Sequence, residues 1–347
     1  MQVGKTKELQ TQEQLSEEEL CPSDLLQGQE EAFDRDIERL QARRAEFVEI
    51  SCPACGSLDS QFELAKFEFA YRTCSECMTL YMSPRPSPHV MASYYSNSEN
   101  YQYWAKYIFP ASEASRREKL HKPWLHRVLE FCKRFGIERQ CLLEVGAGFG
   151  TFCQVAVESG KFADVMAVEP TPEMAEACRQ RGVTVIEKRI EDVSVNEVQG
   201  ANVVVAFEVI EHLFEPRQFL TQCARVLPTG GLLLVTCPNG QGFDITTLRE
   251  VSLAIDAEHV NLFNPTSLRQ LVESCRFQVL EVSTPGRLDA EFVHDAIAQG
   301  KFDVSGTPFL QRILVDEWDR LGWPFQQFLA ENGLSSHMWL AAVKQQA

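Results

Sequence analysis

The stretch Leu142-Leu143-Glu144-Val145-Gly146-Ala147-Gly148-Phe149-Gly150 decides the fold. It reads as a buried strand that breaks into a glycine turn, with a helix beginning at Thr151. Glycines at 146, 148 and 150 permit positive φ and let a ligand come close to the backbone. A turn of this kind at the C-terminal end of a parallel strand is where open α/β sheets bind nucleotides. The spacing is G-x-G-x-G, not the G-x-G-x-x-G of dinucleotide sites, so the turn alone carries little weight. Its sequel adds to it. Val165-Met166-Ala167-Val168-Glu169-Pro170 is a second apolar run ending in an acid. Roughly twenty residues past such a turn is where an acid holds ribose hydroxyls.

Outward from this point, strands and helices alternate. Strands are expected at Cys141–Val145, Asp164–Val168, Val183–Ile186, Ala201–Phe207, Gly231–Thr236 and Phe277–Val282. Helices are expected at Thr151–Ser159, Pro172–Gln180, Gln218–Val226 and Thr266–Ser274. The strands are continuously apolar, as in a parallel sheet covered by helices on both faces. Residues 284–334 read as mostly helical, with segments at Phe292–Ala298, Phe309–Leu321 and Phe325–Leu329. Met338–Val343 then reads as a strand; the competing reading makes it the end of a helix in a separate C-terminal module.

The segments "LLEVGAGFG", "VMAVEP", "VVVAFEVIEHLFEP" and "GGLLLVTCPN" resemble the successive strand ends of class I S-adenosylmethionine-dependent methyltransferases, over roughly residues 116–283. The resemblance implies a Rossmann-like sheet of seven strands, the seventh a hairpin partner of the sixth, with 284–334 inserted between them. It implies that Gly146, Gly148 and Gly150 pass close to the methionine and ribose of S-adenosylmethionine. Glu144 would lie beneath the turn near the cofactor's amino end, Glu169 on the ribose, and Glu191 or Asp192 at the adenine amine, Asp192 being equally readable as a helix N-cap. "EVIEHL" resembles the motif of UbiG-type polyprenyl O-methyltransferases and of certain small-RNA methyltransferases. In those relatives it can hold a divalent ion, so Glu208, Glu211, His212 and His259 are candidate ligands, with Mg²⁺ the candidate ion. The metal-free alternatives make His212 or His259 a general base, with Glu211 orienting His212.

Upstream, Cys52-Pro53-Ala54-Cys55 and Cys74-Ser75-Glu76-Cys77 have the spacing of a four-cysteine zinc site. Two such turns converge their thiolates on tetrahedral zinc, and a closed four-sulfur shell is structural. Residues 49–85 are therefore expected to form a zinc ribbon that depends on its metal to fold. Tyr81-Met82-Ser83-Pro84-Arg85-Pro86-Ser87-Pro88 reads as a stiff connector. Residues 86–135 read as a lid and lead-in, whose Tyr94, Tyr95, Tyr101, Tyr103, Trp104 and Tyr107 either pack on the catalytic domain or line its cleft. This front end resembles that of bacterial methyltransferases encoded with surface-polysaccharide functions. Residues 1–48 form an acidic lead, disordered or loosely helical to about residue 27, with an amphipathic helix expected over Glu30–Val48. The methyltransferase domain itself is placed at 136–347.

Composition bounds the function. The 347 residues carry a formal net charge of −16, which disfavours phosphate backbones and anionic membranes. No apolar run is long enough to span a bilayer, and the polar N-terminus does not read as a signal peptide, so a cytoplasmic protein is expected. Twelve cysteines there suggest metal ligands and buried thiols, not disulfides. The reading these features favour is methylation of oxygen or nitrogen, less so carbon, on a small-molecule or carbohydrate acceptor. The alternatives are a UbiG-like O-methyltransferase of a lipid-linked phenol, an RNA methyltransferase, and a non-catalytic zinc-ribbon partner protein. The sequence leaves the acceptor atom and the oligomeric state open.

Overall fold

The computed structural model describes residues 15–346. Helix α1 (Glu17–Leu20) starts in a capping box between Ser16 and Glu19. Helix α2 (Ser23–Gln41) follows directly. The first fourteen residues of the acidic lead lie outside the described residues. The amphipathic helix thus begins and ends about seven residues earlier than its pattern suggests. The reason is at its end: Phe47 and Val48 form β1, paired antiparallel with β5 (Arg85–Pro86). Between these lie β2 (Ser60–Lys66), β3 (Phe69–Cys74) and β4 (Leu80–Met82), an antiparallel meander. The proline-rich connector is therefore divided. Arg85 and Pro86 join a strand, while Ser87 caps α3 (Pro88–Asn97), its side chain accepting from the Val90 amide, with Pro88 in the first turn.

Helices α4 (Glu99–Tyr103), α5 (Phe109–Arg116) and α6 (Lys122–Phe135) continue nearly without a break, joined by π-helical turns at Trp104–Ile108 and Arg117–His121. Helix α6 stops at Gly136, whose φ of 67° closes the end in the left-handed region. The alternating part comprises β6 (Cys141–Val145), α7 (Thr151–Ser159), β7 (Asp164–Val168), α8 (Pro172–Gln180), β8 (Thr184–Ile186), β9 (Ala201–Phe207), α9 (Pro216–Val226) and β10 (Leu232–Pro238). Then come α10 (Phe243–Leu248), β11 (Asn261–Leu262), α11 (Pro265–Glu273), β12 (Phe277–Ser283), α12 (Asp289–Ala298), α13 (Pro308–Gln311), α14 (Trp318–Glu331) and β13 (His337–Lys344).

The main sheet has seven strands in the order β12-β13-β10-β9-β6-β7-β8. Strands β10, β9, β6, β7 and β8 run parallel, and β13 is antiparallel to both β10 and β12. This is the Rossmann-like sheet expected from the sequence, with the last strand hairpinned as expected. Successive side chains leave opposite faces of a strand, and both faces are covered. Leu143, Val145, Val204, Leu233 and Val235 pack towards α9 and α11. Leu142, Val203, Val205, Leu232 and Leu234 pack towards α6 and α7. All sites at the C-terminal ends of β6, β7, β9 and β10 consequently open on one edge.

Helices α12–α14 lie between β12 and β13 and share a small core with α10, built on Leu248, Val293, Ile313 and Leu314. The break in this block falls at Glu317, not before Pro324, which sits inside α14. Burial of Gly322, Gln326 and Leu329 along one face carries the helix through the proline despite its missing donor. No helix among the described residues is long and apolar enough to cross a membrane.

Candidate functional site

The glycine turn follows β6 directly. Gly146 has a φ of 77°, and a Cβ there would lie 2.6 Å from a Val209 methyl, so no other residue fits. At Gly148 no atom lies within 4 Å of where a Cβ would be, which leaves its backbone open to a ligand. The Gly148 amide donates to Glu169 Oε2 at 2.9 Å, and the Thr171 amide donates to Oε1 at 2.9 Å. Burial pushes the Glu169 carboxyl up, and these two amides pull it back down. Each oxygen keeps a free lone pair. Glu144 lies under the turn, buried, and accepts from Cys153 Sγ at 2.9 Å. Phe109 of α5 stacks on Phe149 at 4.2 Å, so the lead-in helices cover the turn. Asp192 ends a short 3-10 turn and pairs with Arg189 at 3.0 Å on the surface, which is not an N-cap position. Two unforeseen buried atoms lie nearby without partners: Thr151 Oγ1 at the start of α7, and Nδ1 of His121, whose ring packs against Phe152.

The second group lies beyond β9. Glu208 takes a φ of 54°, and its Oε1 accepts from Thr236 Oγ1 at 2.5 Å and from His337 Nε2 at 3.1 Å. Burial raises this carboxyl, but the His337 ring and the Thr236 hydroxyl hold it below the usual carboxylate range. Glu211 is wholly buried, and neither carboxylate oxygen has a hydrogen-bond partner. Burial first, and then the Glu208 charge, pushes it well up. His212 Nδ1 meets the Glu258 carbonyl at 3.2 Å, and its Nε2 lies 4.0 Å from Glu211. His259 Nδ1 meets the Ala254 carbonyl at 3.0 Å and Asp256 at 3.2 Å. The two rings sit 4.8 Å apart. Burial, then His259, pushes His212 down to about 4, so it is neutral near pH 7.

The structure thus joins Glu211, His212 and His259, residues 47 apart or more in part, but turns Glu208 towards the last strand. Donor atoms of the three joined residues lie within 4.8 Å of one another, and the unpaired Glu211 oxygens fit a cation. Two imidazoles and one carboxylate suit Mn²⁺, Fe²⁺ or Zn²⁺. They do not suit Mg²⁺, which prefers oxygen ligands, so that expectation is set aside. Glu258 was passed over in the sequence, although it neighbours His259. Its carboxylate accepts from the Tyr94 and Tyr101 hydroxyls at 2.5 and 3.0 Å, with burial raising it to about 7. The hydroxyl of Tyr95, between those two rings, has no partner. A pair of tyrosines beside a polar break was the available signal; their meeting with residue 258 was not.

The four ribbon cysteines also converge. Sγ atoms of Cys52 and Cys77 are 3.5 Å apart, and those of Cys55 and Cys74 are 3.6 Å apart. Tetrahedral Zn–S bonds of ~2.3 Å place sulfurs about 3.8 Å apart, so the residues fit zinc closely. Gly56 and Met78 occupy equivalent positions in the two turns, each in the left-handed region, each donating back to the first cysteine's carbonyl.

Buried acids give the fold a pH signature. Glu144 is raised by burial to about 8, and Glu258 and Asp244 to about 7. Raised carboxyls hold protons in the folded state, so their contribution is lost as pH rises from 4.5 through these values. His212 and His121, pushed down to about 4 and about 3, act oppositely but only below 6.5. Between about pH 6.5 and 8 these acids act without opposition from the two histidines, and they pull the melting temperature down. Glu144→Gln should flatten that fall; parallel melting curves against pH for the two proteins would remove Glu144 as a cause.

Residues 114–282 match the family model described as a methyltransferase domain. A probable S-adenosylmethionine-dependent methyltransferase of Mycolicibacterium smegmatis is 33% identical over 124 residues, 34% of this chain and 47% of that protein. A ubiquinone biosynthesis O-methyltransferase of Bradyrhizobium is 33% identical over 104 residues, 28% of this chain and 40% of that protein. The chain spans about half or less of the length of these two relatives. Among solved structures, a SAM-dependent methyltransferase from Archaeoglobus fulgidus aligns over 69% of this chain and 100% of its own, with a TM-score of 0.45 and 18% identity.

Proposed function

We propose that this chain, whose residues 114–282 match a methyltransferase domain, is a class I S-adenosylmethionine-dependent methyltransferase that methylates an oxygen or nitrogen of a small-molecule or carbohydrate acceptor. S-adenosylmethionine supplies the methyl group on a sulfonium whose sulfur keeps the bonding pair as it leaves. The chain's part is to orient the partners, exclude water and take the acceptor's proton. Gly146, Gly148 and Gly150 would border the methionine and ribose, and Glu169 would accept from the ribose hydroxyls, as its free lone pairs allow.

The observation that carries the acceptor site is Glu211: a buried carboxylate with both oxygens unpaired, beside two histidines, at the C-terminal edge of the sheet. Nothing in the folding of the chain requires so costly a group there. An acceptor O–H or N–H satisfies it, and the neutral His212 ring, with His259 beside it, can receive the proton. Glu211, His212 and His259 would equally hold a divalent cation such as Mn²⁺, Fe²⁺ or Zn²⁺, which would supply acidification of an acceptor hydroxyl.

A phenol acceptor is the second reading, favoured by the ubiquinone-pathway relative. Nucleic acid is disfavoured: in the one dense basic run Arg117, Lys119, Lys122 and Arg134 are already paired with Glu158, Glu19, Glu118 and Glu281. The zinc assignment belongs to the same reading, supported by the convergence of the four ribbon sulfurs. Calorimetric titration with S-adenosylhomocysteine tests it. A single site per chain, with a raised melting temperature, is the expected outcome; absence of both S-adenosylhomocysteine and S-adenosylmethionine binding overturns it.

A further inference from the structure

The loop that carries His259 is not held by the methyltransferase domain alone. Asn261 and Leu262 of β11 pair with Tyr81 and Leu80 of β4, so this loop supplies the outer strand of the ribbon's sheet, in the order β11-β4-β3-β2. The Met82 amide donates to the Val260 carbonyl at 3.0 Å. Asn264 Nδ2 donates at 2.9 Å to the carbonyl of Cys77, one of the four sulfur-bearing residues. Tyr71, with no exposed surface, donates its hydroxyl to the Asp256 carbonyl and lies 3.3 Å from the His259 carbonyl. Behind it, ribbon side chains Leu64, Phe69 and Met82 share one core with Ile255, Ala257 and Val260. The glycine turn has no part in these bonds; its own reach Val168, Glu169 and Cys178.

We propose that the four-cysteine ribbon is a working part of the acceptor site. Through β11 and Tyr71 it fixes His259 against Glu211 and His212, and zinc occupancy sets that geometry while leaving cofactor binding alone. Tyr71 is the positioning residue. The inference rests on the reading of Glu211, His212 and His259 as the acceptor site. Its physical basis is cooperativity. Besides the Asn261 side chain, which donates to the Ile210 and Leu213 carbonyls at 3.2 and 2.7 Å, the short β11 has β4 as its strand partner, and β4 belongs to a small module whose order depends on its metal. Release of the sulfurs frees β4, then β11, then residues 256–260. The turn at β6 is anchored in the large core and stays.

The test uses the full chain in three forms: zinc-loaded, stripped with a chelator, and zinc-loaded Tyr71→Phe, which keeps the ring in the core. Zinc content, S-adenosylhomocysteine affinity, hydrogen exchange of amides 256–262 and the imidazole nitrogen spectrum are read for each. Tyr71→Phe should keep its zinc and an unchanged affinity, exchange about tenfold faster at 256–262, and shift the His259 and His212 ring signals, as loss of one buried hydrogen bond predicts. Stripping should do the same more strongly. Unchanged exchange and ring signals in Tyr71→Phe overturn the proposal, whatever the stripped protein does. Failure of the zinc-loaded parent to bind S-adenosylhomocysteine is a different result, and defeats the methyltransferase reading itself.

Discussion

Glu169→Ala should lower the affinity for S-adenosylmethionine about a hundredfold, measured by calorimetry, with little loss of melting temperature. The carboxylate holds the Gly148 and Thr171 amides and has two lone pairs left for ribose hydroxyls. Hydrogen bonds to a charged acceptor are worth about 1.5–3 kcal/mol each. Loss of about 3 kcal/mol between ligand and protein corresponds to about a hundredfold in dissociation constant. The fold should survive because the turn keeps its other anchor, the Gly146 amide on the Val168 carbonyl at 2.8 Å. Glu169→Gln keeps the shape and loses the charge, and should fall between the two. An affinity for the alanine variant within twofold of the parent would remove Glu169 from the cofactor site.

Glu211→Gln should reduce turnover by about 10²–10⁴-fold, the range for loss of proton transfer that Glu211 sets up by holding the acceptor against His212, while binding S-adenosylhomocysteine as the parent does. The amide fills the same volume, yet it neither accepts a proton nor holds a cation. It also relieves the burial of an ionisable group, so the variant should be at least as stable as the parent near pH 8, where the carboxyl costs most. The combination of lost turnover, retained cofactor binding and retained stability separates a chemical role from a structural one. Retained turnover would move the acceptor site away from Glu211. The assay is methyl transfer from labelled cofactor to a panel of sugars and phenols.

The sheet was legible because its information is local. Five parallel strands appear as unbroken apolar runs, and the turn after β6 carries its glycines in sequence. The cysteine pairs are legible for the same reason, since each turn is made by four adjacent residues. What could not be read was contact between distant segments. His337 meets Glu208 across 129 positions, and Tyr94 meets Glu258 across 164. No periodicity marks such pairs. Element ends were misjudged where tertiary pairing overrode a helical pattern. Phe47 continues the apolar spacing of α2 but is drawn into a strand by Arg85 and Pro86. The ion pair of Asp192 with Arg189, three residues away, was likewise not foreseen.

The placement of β13 has a consequence for synthesis. It lies between β10 and β12, and it is made last, after the helices of α12–α14. Until it emerges, β10 presents a row of unpaired amides and carbonyls along Leu232–Pro238, apolar but for Thr236 and buried in the finished protein. Such an edge invites pairing with another chain. The nascent protein therefore passes through a sticky stage that lasts at least as long as the ribosome takes to add some hundred residues, a matter of about 5–20 s at usual elongation rates. Chaperone capture of the growing chain, and sensitivity of its yield to translation speed, follow from the position of one strand.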